Sequence, residues 1–245
     1  MQWSGKERTV PELWKNGPRY EGAGAFPITT DSVLLADFVK PKPGRAVELC
    51  SGAGLISLLL LAREPRLNID CAEIDEVASR SAERNFASNG FAEAARPLCI
   101  DIREHRSRLE HAAYTLAVCN PPYFPENSGM ASETRARAVA RSERGCTLSE
   151  VVAAAAWCLR TGGAFCLVHR PERLSELFCT MAAAGLEPKR LRLVQHRLEK
   201  PPSLALVEGR KGARPGLEVQ TALILTDREG RDTAEVRRIY HREEN

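Results

Sequence analysis

The sequence predicts an α/β protein built on a doubly wound, mostly parallel seven-stranded sheet with antiparallel strands at its C-terminal end. Three observations carry this. From Arg45 onward, short apolar runs alternate with helix-like stretches, which implies β-α-β units and parallel pairing. A two-glycine turn, Gly52-Ala-Gly54, joins the first run to the first helix. After Pro188 the alternation stops and strand-like runs follow one another without helices between them.

The elements follow in order. Arg45–Leu49 reads as a buried strand, leading through the glycine turn into the helix-like Leu55–Arg63. Asn68–Glu73 is the second strand, and Asp75–Asn89 an amphipathic helix with Asp75 at its start and Asn89-Gly90 as its stop. Arg96–Ile100 and Leu116–Cys119 are the third and fourth strands. Leu148–Leu159 is a helix ending at Thr161-Gly162-Gly163, and Ala164–His169 the fifth strand. A further helix covers Glu172–Ala184, with Gly185 as its stop. Lys189–His196, Ser203–Glu208 and Leu217–Thr226 are expected to finish one edge as antiparallel strands. Ahead of all these, Thr30-Asp31 is expected to cap a helix over Val33–Val39. Residues 1–40 thus read as a cover over the sheet's carboxyl edge, and 41–245 as the main domain.

Composition narrows the function classes. Hydrophobic residues at 43% and charged residues at 27% describe a globular chain, not a disordered one, and 245 residues are enough for a sizeable core. The longest apolar run, Leu55–Ala62, is broken by Ser57 and is too short for a bilayer crossing. The first residues hold no apolar signal segment, so a cytoplasmic location is expected. None of the eight cysteines forms a Cys-x-x-Cys pair. Cys50, Cys71, Cys99, Cys119 and Cys166 lie in or beside apolar segments, as small buried hydrophobes do in a reducing compartment. No metal is expected. The formal net charge of +3 decides nothing about a polyanionic partner.

The chemistry sits at the strand ends. Glycines at 52 and 54 let a ligand approach the backbone at a helix N-terminus, but a dinucleotide site would place a third glycine where this chain has Ser57. Glu48 at the end of the first strand would repel phosphate and welcome an ammonium, directly or through water, which points to S-adenosylmethionine. Glu73, 25 residues further on, is placed to accept both ribose hydroxyls. Asp101 is placed to accept from the adenine amino group, with Ile74 and Ile102 against the ring. Asn120-Pro121-Pro122-Tyr123 follows the fourth strand. Its prolines remove two N–H donors and leave the Asn120 and Pro121 carbonyls as an acceptor pair for a planar NH2 group, with Tyr123 as a stacking face.

In these residues the chain resembles a class I, Rossmann-like methyltransferase of the amino-methylating group that carries Asn-Pro-Pro-Tyr. More narrowly, Phe26-Pro-Ile-Thr-Thr30-Asp31-Ser-Val-Leu-Leu-Ala-Asp, the stretch Lys200–Lys211 and Thr233–Tyr240 are similar to the bacterial valine-tRNA adenine-N6-methyltransferase family. The resemblance implies methyl transfer from S-adenosylmethionine to adenine N6 in the anticodon-loop region of tRNA. It implies catalytic Asn120, Pro121, Pro122 and Tyr123, and cofactor contacts from Thr30, Asp31, Glu48, Cys50, Ser51, Gly52, Gly54, Glu73, Ile74, Asp101, Ile102 and Asn120. Arg135, Arg137, Arg141 and Arg144, just beyond the proline turn, together with Lys211, are the candidate tRNA contacts. Further cations stand at Lys189, Arg190, Arg192, Arg197, Lys200, Arg210, Arg214, Arg237 and Arg238. A monomer or weak homodimer is expected. The proline turn serves any planar amino group, so ribosomal guanine N2 and a protein glutamine amide remain open as acceptors, as does an RNA-binding module without turnover.

Overall fold

The computed structural model describes residues 10–22, 27–121 and 146–242. The sheet has nine strands, two more than expected, and its seven long ones are β1 (Gly44–Leu49), β2 (Leu67–Glu73), β3 (Ala95–Cys99), β4 (Tyr114–Cys119), β5 (Leu159–His169), β6 (Leu186–Gln195) and β7 (Pro202–Lys211). Their spatial order is β3-β2-β1-β4-β5-β7-β6. The first five strands pair in parallel, and β7 lies antiparallel between β5 and β6.

Two stretches depart from expectation. Leu217–Thr226 is not one antiparallel strand but two short ones, β8 (Glu218–Val219) and β9 (Leu223–Ile224), both parallel to β6. The chain leaves the ladder between them, where Arg192 Nε donates to Thr221 O. Thr161–Gly163 does not separate helix from strand. It lies inside β5, where the pairing with β4 slips between Tyr114 and Leu116.

Helices cover both faces. On one lie α1 (Thr30–Phe38), α2 (Leu55–Arg63), α3 (Glu76–Ser88) and the short α7 (Ala234–Ile239). On the other lie α5 (Leu148–Cys158) and α6 (Leu174–Ala183), with the single turn α4 (His105–Arg108) packed against α5. Helix α2 has apolar residues around its whole circumference, and every residue from Leu55 to Leu61 is buried between α1, α3 and β2. Cys71, Cys119 and Cys166 are buried as expected, whereas Cys99 is exposed and Cys50 half-buried.

Helix α1 begins three residues before the expected Val33, and its cap lies one residue before the expected pair. Thr29, not Thr30-Asp31, is the cap, its hydroxyl accepting from Ser32 N at 3.3 Å. The helix does not lie across the carboxyl edge. It packs on α2, β5 and β7, so only its first turn reaches that edge. Its far end is held by Arg190, whose guanidinium donates to Phe38 O at 2.8 Å, stacks over the Phe38 ring and pairs with buried Glu208 at 2.7 Å. The segment ahead of α1 runs along α3, where the Asn85 amide both accepts from Glu21 N and donates to Glu21 O.

Gly54 ties the glycine turn to α3. Its φ is +78°, and a Cβ there would sit 2.6 Å from Phe86 Cζ and 3.2 Å from Ala82 Cβ. Gly54→Ala is therefore expected to lower stability by more than about 2 kcal/mol, from backbone strain and overpacking together. The loss should appear as a lower urea midpoint with an unchanged slope.

Candidate active site

Strand β1 is where the sheet reverses direction of growth. Its end, Leu49, lies opposite Ala72 of β2 on one side and Cys119 of β4 on the other. The chain leaves β1 for α2 on one face and reaches α5 on the other after β4, so the carboxyl ends of these strands form the switch point at which open α/β sheets place a ligand crevice.

The loop after β1 forms one wall. Cys50 takes a left-handed φ of 56°, Gly52 one of 53° and Gly54 one of 78°. Ser51 N donates to Ala72 O at 3.0 Å, and Gly52 N to Glu73 Oε2 at 2.8 Å. Asn85 Nδ2 holds the loop from below by donating to Ala53 O at 2.9 Å. Ser51 Oγ is buried and has no hydrogen-bond partner among the described residues. The neighbouring Cys119 and burial keep the Cys50 thiol protonated, and its sulfur lies 3.4 Å from Cys146 Sγ.

Glu48 is buried beneath this loop. Its Oε2 accepts from Ser57 N at 2.9 Å and from the Ser57 hydroxyl. Ser57, marked in the sequence only as the missing third glycine, is thus the residue that holds Glu48. Burial pushes the Glu48 carboxyl up to about 8, against the opposing pull of the Ser57 bonds. Burial also raises the Glu73 carboxyl, opposed by N–H bonds from Asp75 and Gly52.

Asn120 stands across the crevice at the end of β4. Its Nδ2 donates to Ser32 Oγ of α1 at 3.0 Å, while its Oδ1 is buried and has no partner among the described residues. Pro121 is buried beside it and supplies a carbonyl without an N–H. Pro122, Tyr123, Arg135, Arg137, Arg141 and Arg144 lie outside the described residues.

The remaining candidates divide. Thr30 and Asp31 sit in the first turn of α1, immediately before Ser32. Ile74 is open to solvent, but Ile102 is buried in the core, so only Ile74 offers a free apolar face. The Asp101 carboxylate is already gripped by Arg103, with N···O distances of 2.5–2.9 Å that lower its pKa. Lys211 lies at the opposite edge of the sheet. Its ammonium donates to Ala156 O and Leu159 O, both at 2.7 Å, and so closes the C-terminal end of α5.

Sequence reasoning passed over Ser32, Asn85 and Cys146. A serine in the first turn of a helix, an asparagine within one and a cysteine before one carry no pattern of their own; each acquires a role through a partner distant in the chain. Among the described residues no cluster of His, Cys, Asp and Glu is arranged to hold a metal ion, and no helix is long and apolar enough to cross a membrane.

Residues 28–182 match the methyltransferase small domain family. The tRNA1(Val) (adenine(37)-N6)-methyltransferase of Vibrio cholerae is 30% identical over 212 residues, covering 86% of this chain and 85% of its own. The protein of that name from Porphyromonas gingivalis is 30% identical over 193 residues, covering 76% and 75%. Among solved structures, a predicted O-methyltransferase from Agrobacterium tumefaciens shares the fold with a TM-score of 0.69 at 20% identity, covering 86% of this chain and 96% of its own. The T. thermophilus 16S rRNA N2 G1207 methyltransferase in complex with AdoMet and guanosine aligns with a TM-score of 0.54 at 18% identity, covering 76% and 44%.

Burial of Glu48 predicts a pH signature. Its folded pKa, about 8, lies above the ordinary carboxyl value of 4.5, so the neutral form is favoured on folding. That contribution is fully present below about pH 4.5 and is lost as pH rises through about 8. Thermal melts without cofactor should show the wild-type stability falling between about pH 4.5 and 8 and levelling off above, and Glu48→Gln should flatten that slope. The slope is the readout, because the amide also changes the absolute stability.

Proposed function

Because the chain belongs to the methyltransferase small domain family and, within it, to the tRNA1(Val) (adenine(37)-N6)-methyltransferases, we propose that it methylates N6 of an adenine in the anticodon-loop region of a valine-type tRNA. S-adenosylmethionine supplies an electrophilic methyl group on a sulfonium when bound. Free thiols throughout the chain suit a cytoplasmic setting for this reaction.

The observation that carries the catalytic reading is the buried, unpartnered Oδ1 of Asn120. A buried acceptor without a donor costs free energy unless a ligand completes it. The adenine amino group is such a donor. Asn120 Oδ1 and the Pro121 carbonyl would accept its two hydrogens, drawing the nitrogen lone pair out of conjugation with the ring and aiming it at the methyl carbon. Positioning and fixed dipoles do this work; no group on the chain needs to remove a proton before transfer, because the nitrogen becomes acidic only after it is methylated.

The other wall fits the cofactor's polar parts. Glu48 lies under the loop that would receive the ammonium, the Ser51 hydroxyl is a buried group lacking a partner, and Glu73 keeps lone pairs for ribose hydroxyls. Ile74 offers its open face to the adenine ring of the cofactor. The target base must leave its stack to reach Asn120. We assign phosphate contacts to Arg135, Arg137, Arg141 and Arg144, which follow the proline turn closely in the chain.

Asn120→Ala is expected to reduce turnover by about 100- to 1000-fold, the usual cost of removing one fixed polar group from a transition state. Calorimetry should find S-adenosylmethionine binding unchanged. Methyl transfer to total tRNA, followed by nucleoside mass spectrometry, should yield N6-methyladenosine. N2-methylguanosine as the product, or undiminished turnover in the variant, would overturn the assignment.

A further inference from the structure

A carboxamide has two ends of nearly the same shape and opposite polarity, and only one of them accepts an amino group. If the Asn120 side chain were turned over, its NH2 would face the incoming amine and repel it. Something must therefore hold the amide, and the hydrogen-bond network sets which end faces where.

Ser32 provides that hold. Its hydroxyl oxygen takes Asn120 Nδ2 at 3.0 Å and the Thr29 hydroxyl at 3.0 Å. A hydroxyl oxygen has two lone pairs, and these two donors occupy both. In this arrangement the amide meets Ser32 through its NH2 end, and Oδ1 faces away, buried and without a partner among the described residues. Thr29 is itself fixed, because its hydroxyl caps α1 by accepting from Ser32 N at 3.3 Å. The helix is clamped at its other end by Arg190 on Phe38 O. A chain of contacts thus runs from the α1 cap to the Asn120 amide, joining residues 88 positions apart.

We infer that Ser32 is a positioning residue for methyl transfer: its hydroxyl, primed by Thr29, fixes the Asn120 carboxamide with its oxygen towards the acceptor amine. This rests on the assignment of Asn120 as the amine acceptor. Ser32 itself touches neither substrate nor cofactor in this account. Its role is to hold the amide in the orientation that turns Oδ1 towards the amine.

The test is steady-state methyl transfer to tRNA by Ser32→Ala and Ser32→Thr, with S-adenosylmethionine affinity and melting temperature measured on the same preparations. Ser32→Ala should lower kcat by about 10- to 100-fold, the range lost when a partner that orients a ligating side chain is removed at metal sites. KM for tRNA, cofactor affinity and melting temperature should stay near wild type, and Ser32→Thr, which restores the hydroxyl, should recover most of kcat. Wild-type kcat in Ser32→Ala would overturn the inference. So would a loss expressed as weaker cofactor binding or a lower melting temperature, or one that Ser32→Thr does not relieve. Asn120→Ala separates this from the underlying assignment: an inactive Asn120→Ala beside a fully active Ser32→Ala rejects only the positioning role, whereas an active Asn120→Ala rejects the acceptor assignment itself.

Discussion

Pairing of β1 with both β2 and β4 is the constraint from which the site follows. In a parallel sheet all carboxyl ends face one edge, and the loops leaving that edge come together without further design. Because Leu49 is flanked by Ala72 and Cys119, three chain segments far apart in sequence end within one strand spacing of each other. The glycine loop, Glu73 and Asn120 are neighbours for this reason alone. Their conversation is then tightened by local bonds: Gly52 N to the Glu73 carboxylate, Ser51 N to Ala72 O, and Asn120 to the first turn of α1.

The two walls of the crevice differ in how they manage polar groups. On the β1 side the acid is buried and held by Ser57, and the loop backbone is satisfied by Glu73 and Asn85. On the β4 side, one end of the Asn120 amide is committed to the scaffold and the other left open. A rigid frame around one incomplete hydrogen bond is the arrangement expected where a protein is complementary to a reacting group that arrives later. The buried Arg190–Glu208 pair belongs to the frame, since it seats the end of α1 that lies farthest from the crevice.

Much of this was legible in the chain because the strand-end residues belong to a regular pattern. Glu48, the paired glycines, Glu73 and Asn-Pro-Pro-Tyr each follow an apolar run, and alternation with helices implies that those runs share one edge. What was not legible depended on partners. The run from Leu217 to Thr226 has a strand's composition, but composition does not encode the direction of pairing, and Thr221 is drawn out of the ladder by Arg192. Ser57 was visible as a departure from glycine, yet its function needs Glu48 nine residues away to be folded beside it. Ile102 was read as a ring-facing residue from its place after Asp101; the 3-10 turn it opens directs it inward instead. Charge misled in the same way, for Lys211 looks like a phosphate ligand until the carbonyls at the end of α5 are beside it.

That last feature reaches beyond one lysine. Arg190 and Arg210 share Glu208, Arg192 pairs with Glu235, Arg238 with Asp37, and Lys189 and Arg237 donate to backbone carbonyls. Cations already neutralised or bound internally hold fewer mobile ions around themselves and release fewer when a polyanion docks. Most of the arginine and lysine in the C-terminal third is thus already engaged within the fold, where it serves cohesion.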